Sequence, residues 1–261
     1  MDIISGLTSI ASSEGVALLG VAPVERFNGA PAGRHPRDFL DKARNVVVIG
    51  IPIPEGVLYR EGMMETTPDL TEKERLDLFQ NYFYQTSGFE IINTRLEQVS
   101  LRMTLFFEEL GYRTLYFTPT FGRHYDGYYE KYWAALFSHR HAAVRAGLGE
   151  FGLNNLVVNP KYGPRVRFNS IITSAELPAT PLLQEKTCLG SSCGICLEGC
   201  PGRATVAGDE IHDIREKNSG KGIVWLNPVS RTDHVLCRQS QEKEFCRGRC
   251  LAVCPVGTLK T

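Results

Sequence analysis

All eight cysteines of the 261-residue chain lie between Cys188 and Cys254, and the first 187 residues contain none. They fall into two sets of four. The first is Cys188-x4-Cys193-x2-Cys196-x3-Cys200, followed by Pro201. The second is Cys237-x8-Cys246-x3-Cys250-x3-Cys254, followed by Pro255. Thiolates are soft ligands for zinc and for iron–sulfur centres. In a reducing compartment such clustering points to metal binding rather than to disulfides.

The segment Cys-x2-Cys-x3-Cys-Pro is the core of the bacterial ferredoxin run. A tight loop supplies three thiolates to a [4Fe-4S] cluster, and the fourth comes from elsewhere in the chain. Proline at a first helical position can then start a helix that carries the chain away. In two-cluster ferredoxins the fourth cysteine of each run ligates the other cluster. On that pattern one cluster takes Cys188, Cys193, Cys196 and Cys254, and the other takes Cys237, Cys246, Cys250 and Cys200. The x4 opening of the first run and the x8 and x3 spacings of the second depart from the usual x2. A pair of four-thiolate zinc sites is the alternative. The Cys-Pro ending of both runs favours iron and sulfide.

These ligands need a scaffold, and the preceding residues supply one. Residues 2–14 read as an amphipathic helix with Ile3, Leu7 and Ile10 on one stripe. Val16 to Val21 and Val46 to Ile51 read as buried strands. Residues 35–40 read as a short helix and 55–71 as loop. Residues 72–110 read as helix, with a break near Ser87-Gly88. Leu96, Val99, Met103, Phe106 and Leu110 form its core stripe, and Gly111 caps it. Strands follow at Arg113 to Phe117 and Arg167 to Thr173, with a helix over 134–146 between them. The expected organisation is an α+β domain over 1–180 and an iron–sulfur domain over 181–261.

Lys plus Arg number 29 and Asp plus Glu number 29, so the net charge is near zero. A large nucleic-acid footprint would show a basic excess, and the balance argues against one. No apolar run reaches the roughly 18 residues of a membrane span, and the N-terminus lacks a signal-peptide pattern. The expectation is a cytoplasmic protein.

The stretch 120–133 is dense in aromatics, among them Tyr125, Tyr128 and Tyr129. Packed core and the wall of a ligand pocket are both open readings. A proton donor must reach the substrate with a suitable pKa. Tyr125, Asp126, Tyr128, Tyr129, Glu130, His139 and His141 all lie between the strand ending at Phe117 and a glycine-rich segment at 147–152, and Asp126 and His141 are favoured. Asp126 also fits a helix N-cap. A lone histidine on a helix also fits a structural role.

The residues Ala146-Gly147-Leu148-Gly149-Glu150-Phe151-Gly152 resemble the Ala-Gly-Leu-Gly-x-x-Gly segment of epoxyqueuosine reductases. Tyr162-Gly163-Pro164-Arg165, the strand after it and the two cysteine runs match in order, as do His35-Pro36 and Val46 to Pro54. Reductive dehalogenases are similar in the same parts. The resemblance implies a nitroreductase-like domain that holds cobalamin or another corrinoid beside one of two [4Fe-4S] clusters. It further implies reduction of a small organic substrate, with reduced ferredoxin or flavodoxin as electron donor. An electron-transfer protein without substrate chemistry is the rival. Gly147, Gly149, Gly152, Tyr162, Gly163 and Arg165 become candidate cofactor contacts, because glycine permits close backbone approach. Tyr125, Asp126 and His141 become candidate acids. Epoxyqueuosine reductases carry an aspartate about a dozen residues before the glycine segment, where Trp133 falls here. They continue into a tRNA-binding repeat, whereas seven residues follow Cys254 here. Secreted dehalogenases begin with a twin-arginine signal, a pattern not seen here. The expected substrate is therefore a small molecule rather than tRNA.

Overall fold

The computed structural model describes residues 2–58, 69–120, 135–207, 230–244 and 246–258. Helix α1 (Ile3–Ser13) leads through Gly15, at φ 72°, into strand β1 (Leu18–Pro23). One helical turn, α2 (Pro36–Phe39), is closed by a capping box in which His35 accepts from the Arg37 amide. Strand β2 (Asn45–Pro52) follows. Helix α3 (Glu72–Leu78) starts at a Thr71–Glu74 capping box, a reciprocal pairing that satisfies two amides left bare by the helix start.

No break occurs at Ser87-Gly88. The chain instead runs through a π-helix, Phe79–Glu90, and continues as helix α4 (Ile91–Glu109). The expected stripe holds for Leu96, Val99 and Met103, but Phe107 replaces Phe106 as the fully buried ring and Leu110 is exposed. Gly111 ends the helix at φ 86°. Strand β3 (Thr114–Tyr116), helix α5 (His139–Arg145), the short strands β4 (Glu150–Phe151) and β5 (Val157–Val158), and strand β6 (Val166–Thr173) complete this part.

The main sheet has the order β1-β2-β6-β3, and every neighbouring pair is antiparallel. Alternate side chains of β2 enter two separate cores. Val47 and Ile49 join Leu7, Leu96, Met103 and Phe107 on the α1/α4 side. Val46 and Val48 join Phe27, Phe137, Ala142 and Ala143 on the α5 side. This two-sided cover explains the continuous apolar run in the sequence. Burying Val46, Val47, Val48 and Ile49 contributes on the order of 2 kcal/mol each.

The cysteine-bearing part is built from short pieces. Helices α6 (Ile195–Glu198) and α8 (Arg249–Ala252) each start after a left-handed glycine, Gly194 and Gly248. Between them lie strands β7 (Thr205–Ala207) and β8 (Ser230–Thr232), paired antiparallel, and helix α7 (His234–Lys243). Asp233 caps α7 by accepting from the Val235 and Leu236 amides. No helix begins at Pro201 or Pro255. The short helices precede these prolines, and the chain turns after each Cys-Pro.

Candidate functional site

Cys188, Cys193, Cys196 and Cys254 line one cavity together with Leu153, Val158, Ile195 and Val256. Burial, then the neighbouring Cys188 and Cys254, pushes the Cys196 thiol up to about 11. Burial also raises Cys254, against the lowering effect of the Val256 amide and Arg165. The other four thiols are mutual neighbours too. Burial, then Cys246, Cys237 and Cys200, pushes Cys250 up to about 12. Cys237 is raised by burial, with Cys200 beside it. Cys200 and Cys237 accept hydrogen bonds at sulfur, from the Ala204 amide at 3.3 Å and from Gln241 at 3.6 Å. Cys196 is also among the neighbours of Cys250, so the two quartets adjoin.

The donor set fits two cubane clusters. Each quartet mixes three cysteines of one run with the last cysteine of the other. The cavity of the first quartet has apolar walls and four sulfur donors. Among the described residues no three His, Cys, Asp or Glu side chains converge closely enough for a single metal ion. Thiols raised by burial must lose their protons to bind, so loading would release protons into solvent.

The glycine segment grips this assembly. Glu150 accepts from the amides of Thr187 at 2.5 Å and Cys188 at 2.6 Å. Asn154 donates to the Cys250 carbonyl at 3.2 Å, and Asn155 donates to Thr232. Asn155 adopts φ 58°, a left-handed turn that asparagine tolerates. Arg165 is buried and donates to the carbonyls of Leu251, Cys254 and Val256. These residues fix both cysteine runs against the sheet.

The Cβ side of the glycines proposed as cofactor contacts packs on the protein itself. A Cβ on Gly147 would lie 2.0 Å from the Pro181 carbonyl, and one on Gly149 would lie 2.6 Å from the Val158 carbonyl. On Gly152 it would meet Val158 at 2.5 Å and the Cys188 sulfur at 3.5 Å. On Gly163 it would meet the Val256 carbonyl at 2.0 Å. Tyr162 donates its amide to Asn159, and its own segment packs on Gly257. Glycine is required here by protein packing on protein.

Of the candidate acids, Tyr125 and Asp126 lie outside the described residues, as does Glu130. His141 is half-buried, with Nδ1 2.7 Å from the Ser138 hydroxyl and its ring edge-on to Phe151 at 4.8 Å. His139 is held at both ring nitrogens. Its Nε2 lies 2.9 Å from the Thr118 carbonyl and its Nδ1 2.9 Å from the Ser170 hydroxyl. The carbonyl can only accept, so Nε2 carries the hydrogen and Nδ1 accepts from Ser170. Burial lowers His139 to about 4 and keeps it neutral. Sequence reasoning missed Asn154, Asn159 and Arg167, because their partners are more than ten residues away. Asn159 donates to the Leu148 carbonyl at 2.8 Å.

An α+β sheet domain thus clasps two adjoining quartets of thiols. The chain resembles the epoxyqueuosine reductase and reductive dehalogenase family. No family model matches it. A tetrachloroethene reductive dehalogenase of Sulfurospirillum multivorans is 30% identical over 115 residues, covering 43% of this chain and 22% of that protein. An epoxyqueuosine reductase of Staphylococcus aureus is 24% identical over 192 residues, covering 73% of this chain and 42% of that protein. The chain thus spans less than half of either curated relative.

Solved structures share the fold. Epoxyqueuosine reductase from Streptococcus thermophilus superposes with a TM-score of 0.61 at 16% identity, over 98% of this chain and 66% of that one. A catabolic reductive dehalogenase in complex with 3-bromo-4-hydroxybenzoic acid gives 0.62 at 16% identity, over 98% of this chain and 32% of that one. An epoxyqueuosine reductase with a tRNA stem loop gives 0.54 at 19% identity, over 78% of this chain and 53% of that one. That relative stands against excluding nucleic acid from charge balance alone. Among the described residues no helix is long and apolar enough to cross a membrane.

Proposed function

We propose that the protein is a reductase that passes electrons through two [4Fe-4S] clusters to a small organic substrate. One cluster is held by Cys188, Cys193, Cys196 and Cys254, the other by Cys200, Cys237, Cys246 and Cys250. The clusters supply one-electron chemistry when bound. The observation that carries this reading is the interleaving of the two quartets, with Cys196 among the neighbours of Cys250. Ligands that close bring two clusters within electron-transfer range.

The chain's own residues hold and order the site. Glu150, Asn154 and Arg165 fasten the cysteine loops by hydrogen bonds to their backbone. His139 stays neutral and leaves both ring nitrogens engaged, so it is a positioning residue rather than a proton donor. Asp126, Tyr125 and His141 are the proposed proton sources. The reductases it resembles include one described as acting through B12-dependent dehalogenation. A corrinoid is accordingly the proposed partner cofactor, bound by surfaces other than the packed glycines.

Anaerobic purification with analysis of iron, sulfide, cobalt and flavin tests the proposal. About eight irons and matching sulfide are expected for two cubanes. Stoichiometric zinc without sulfide overturns it. Titration with cobalamin, followed by EPR, reads corrinoid binding separately. Intact clusters with no cobalt signal change would favour an electron carrier.

A further inference from the structure

On the face of β6 that meets α4 and the π-helix Phe79–Glu90, Arg167 is held from three sides. Its guanidinium carbon lies 4.2 Å from the centre of the Phe89 ring. Its Nε donates to Asn93 Oδ1 and its Nη2 donates to Thr120 Oγ1, both at 2.6 Å. Asn93, fully buried in α4, closes the triangle by donating from Nδ2 to Thr120 Oγ1 at 3.1 Å.

The direction of each bond follows from chemistry. A guanidinium can only donate, so Asn93 must turn its oxygen to Arg167 and its amide nitrogen to Thr120. Thr120 Oγ1 therefore accepts twice, which uses both its lone pairs and leaves its own hydrogen to be given. Arg167 keeps both hydrogens on Nη1 and one on Nη2. Among the described residues none of these hydrogens meets an acceptor. No carboxylate among them forms an ion pair with Arg167 either. The surrounding protein lowers the Arg167 pKa from its ordinary 12.5 by taking the group out of water, yet an arginine stays charged. The cluster thus presents donors only, around one uncompensated positive charge.

A planar guanidinium meets a carboxylate through two parallel hydrogen bonds. The edge between Nε and Nη2 is spent on Asn93 and Thr120. The other edge, between Nη1 and Nη2, retains a hydrogen on each nitrogen and matches the two oxygens of one carboxylate. Phe89 covers one face of the fork and holds its plane. Arg167 and Thr120 are each only partly buried, so a small ligand can reach them. Thr120 leads along the chain into the stretch that holds Tyr125 and Asp126. The π-helix that carries Phe89 also bonds the second cysteine run, where Gln85 accepts from Arg247.

We propose that Arg167 and Thr120 bind the carboxylate of a small organic acid, which makes an organic acid the substrate of the reductase. The second clause rests on the reductase reading given above, and the binding site itself does not.

The test is isothermal titration of the full chain, prepared anaerobically after its iron and sulfide are counted. The probes are benzoate, its uncharged analogue benzyl alcohol, and inorganic phosphate as a rival anion. Benzoate is expected to bind about tenfold or more tightly than the alcohol, as one charge-assisted pair implies. Arg167→Gln is expected to abolish that preference. Arg167→Lys keeps the charge without the fork and is expected to restore only part of it. Thr120→Val is expected to weaken benzoate a few-fold, and it carries the test if the arginine variants do not fold. No preference for benzoate over the alcohol, tighter binding of phosphate, or benzoate affinity unchanged in Arg167→Gln or in Thr120→Val overturns the proposal. None of these readings requires turnover. A chain that binds benzoate through Arg167 yet reduces no organic acid keeps the site and overturns the reductase reading.

Discussion

Arg165 donates its guanidinium hydrogen to the backbone carbonyl of Cys254 at 3.0 Å. The same side chain reaches Leu251 at 2.9 Å and also Val256. One residue at the entrance to β6 therefore anchors the last turn of the second cysteine run. Arg165→Met removes every donor and leaves three carbonyls to find others. Unsatisfied buried groups cost about 1–3 kcal/mol each, so a loss of about 3 kcal/mol is expected. Urea unfolding, followed by tryptophan fluorescence and cluster absorbance, measures it. An unchanged midpoint refutes the anchoring role.

Cys254 and Cys200 are exchanged between the runs in the proposed ligand sets. Cys254→Ser should lose the cluster built on Cys188, Cys193 and Cys196, and Cys200→Ser should lose the other. Each variant should retain about four irons with distinct EPR spectra. If Cys254→Ser disturbs only the cluster of Cys246 and Cys250, the exchange is wrong.

Glu150 holds the amides of Thr187 and Cys188. Hydrogen bonds to a charged acceptor contribute roughly 1.5–3 kcal/mol. Glu150→Ala should release the start of the first run and speed iron loss to a chelator several-fold. Glu150→Gln keeps one acceptor oxygen and should lie between. Equal rates in all three proteins would remove Glu150 from the account.

Gly163 has φ 56° and no room for a side chain beside the Val256 carbonyl. Left-handed backbone costs a non-glycine residue on the order of 1–3 kcal/mol, and the clash adds to it. Gly163→Ala should lower the melting temperature and loosen the segment after Cys254. Gly33 has a similar φ of 75° with open space around it, so Gly33→Ala is the control for backbone strain alone. Similar losses in the two variants, read by calorimetry, would discount the close approach to Val256.

His139 gives the protein an acid sensitivity. Its folded pKa of about 4 lies below its ordinary 6.5 because of burial. Above pH 6.5 folded and unfolded chains are both neutral there, and its contribution is fully present. Between 6.5 and 4 only the unfolded chain takes up the proton, so stability falls with pH. From pH 8 to pH 5 the loss from this residue is roughly 2 kcal/mol. Urea unfolding at the two pH values should show a smaller difference in His139→Gln than in the wild type. Equal differences would contradict the buried neutral histidine.

Much of the scaffold was legible from local pattern. The run Val46 to Ile51 and the stripe Leu96, Val99 and Met103 repeat with the periods of strand and helix, and their burial follows. The choice of Phe107 over Phe106 was not legible. The two lie side by side, and the packing of α1 and the sheet against α4 selects between them. The π-helix was read as a break, because nothing in Ser87-Gly88 distinguishes a widened turn from an interrupted one.

The sequence by itself determined the inventory: eight thiols in two runs, a glycine segment, and strands and helices of definite period. These are local properties, set by residue type and spacing along the chain. Only the tertiary structure decided their use. It placed Cys254 beside Cys188 and Cys200 beside Cys237, and it set Glu150 and Asn154 of the glycine segment to hold the cysteine loops. The physical reason is that a glycine records only that a side chain would not fit. Whether ligand or protein occupies that space depends on segments such as Pro181 and Val256, brought there by folding over tens of residues.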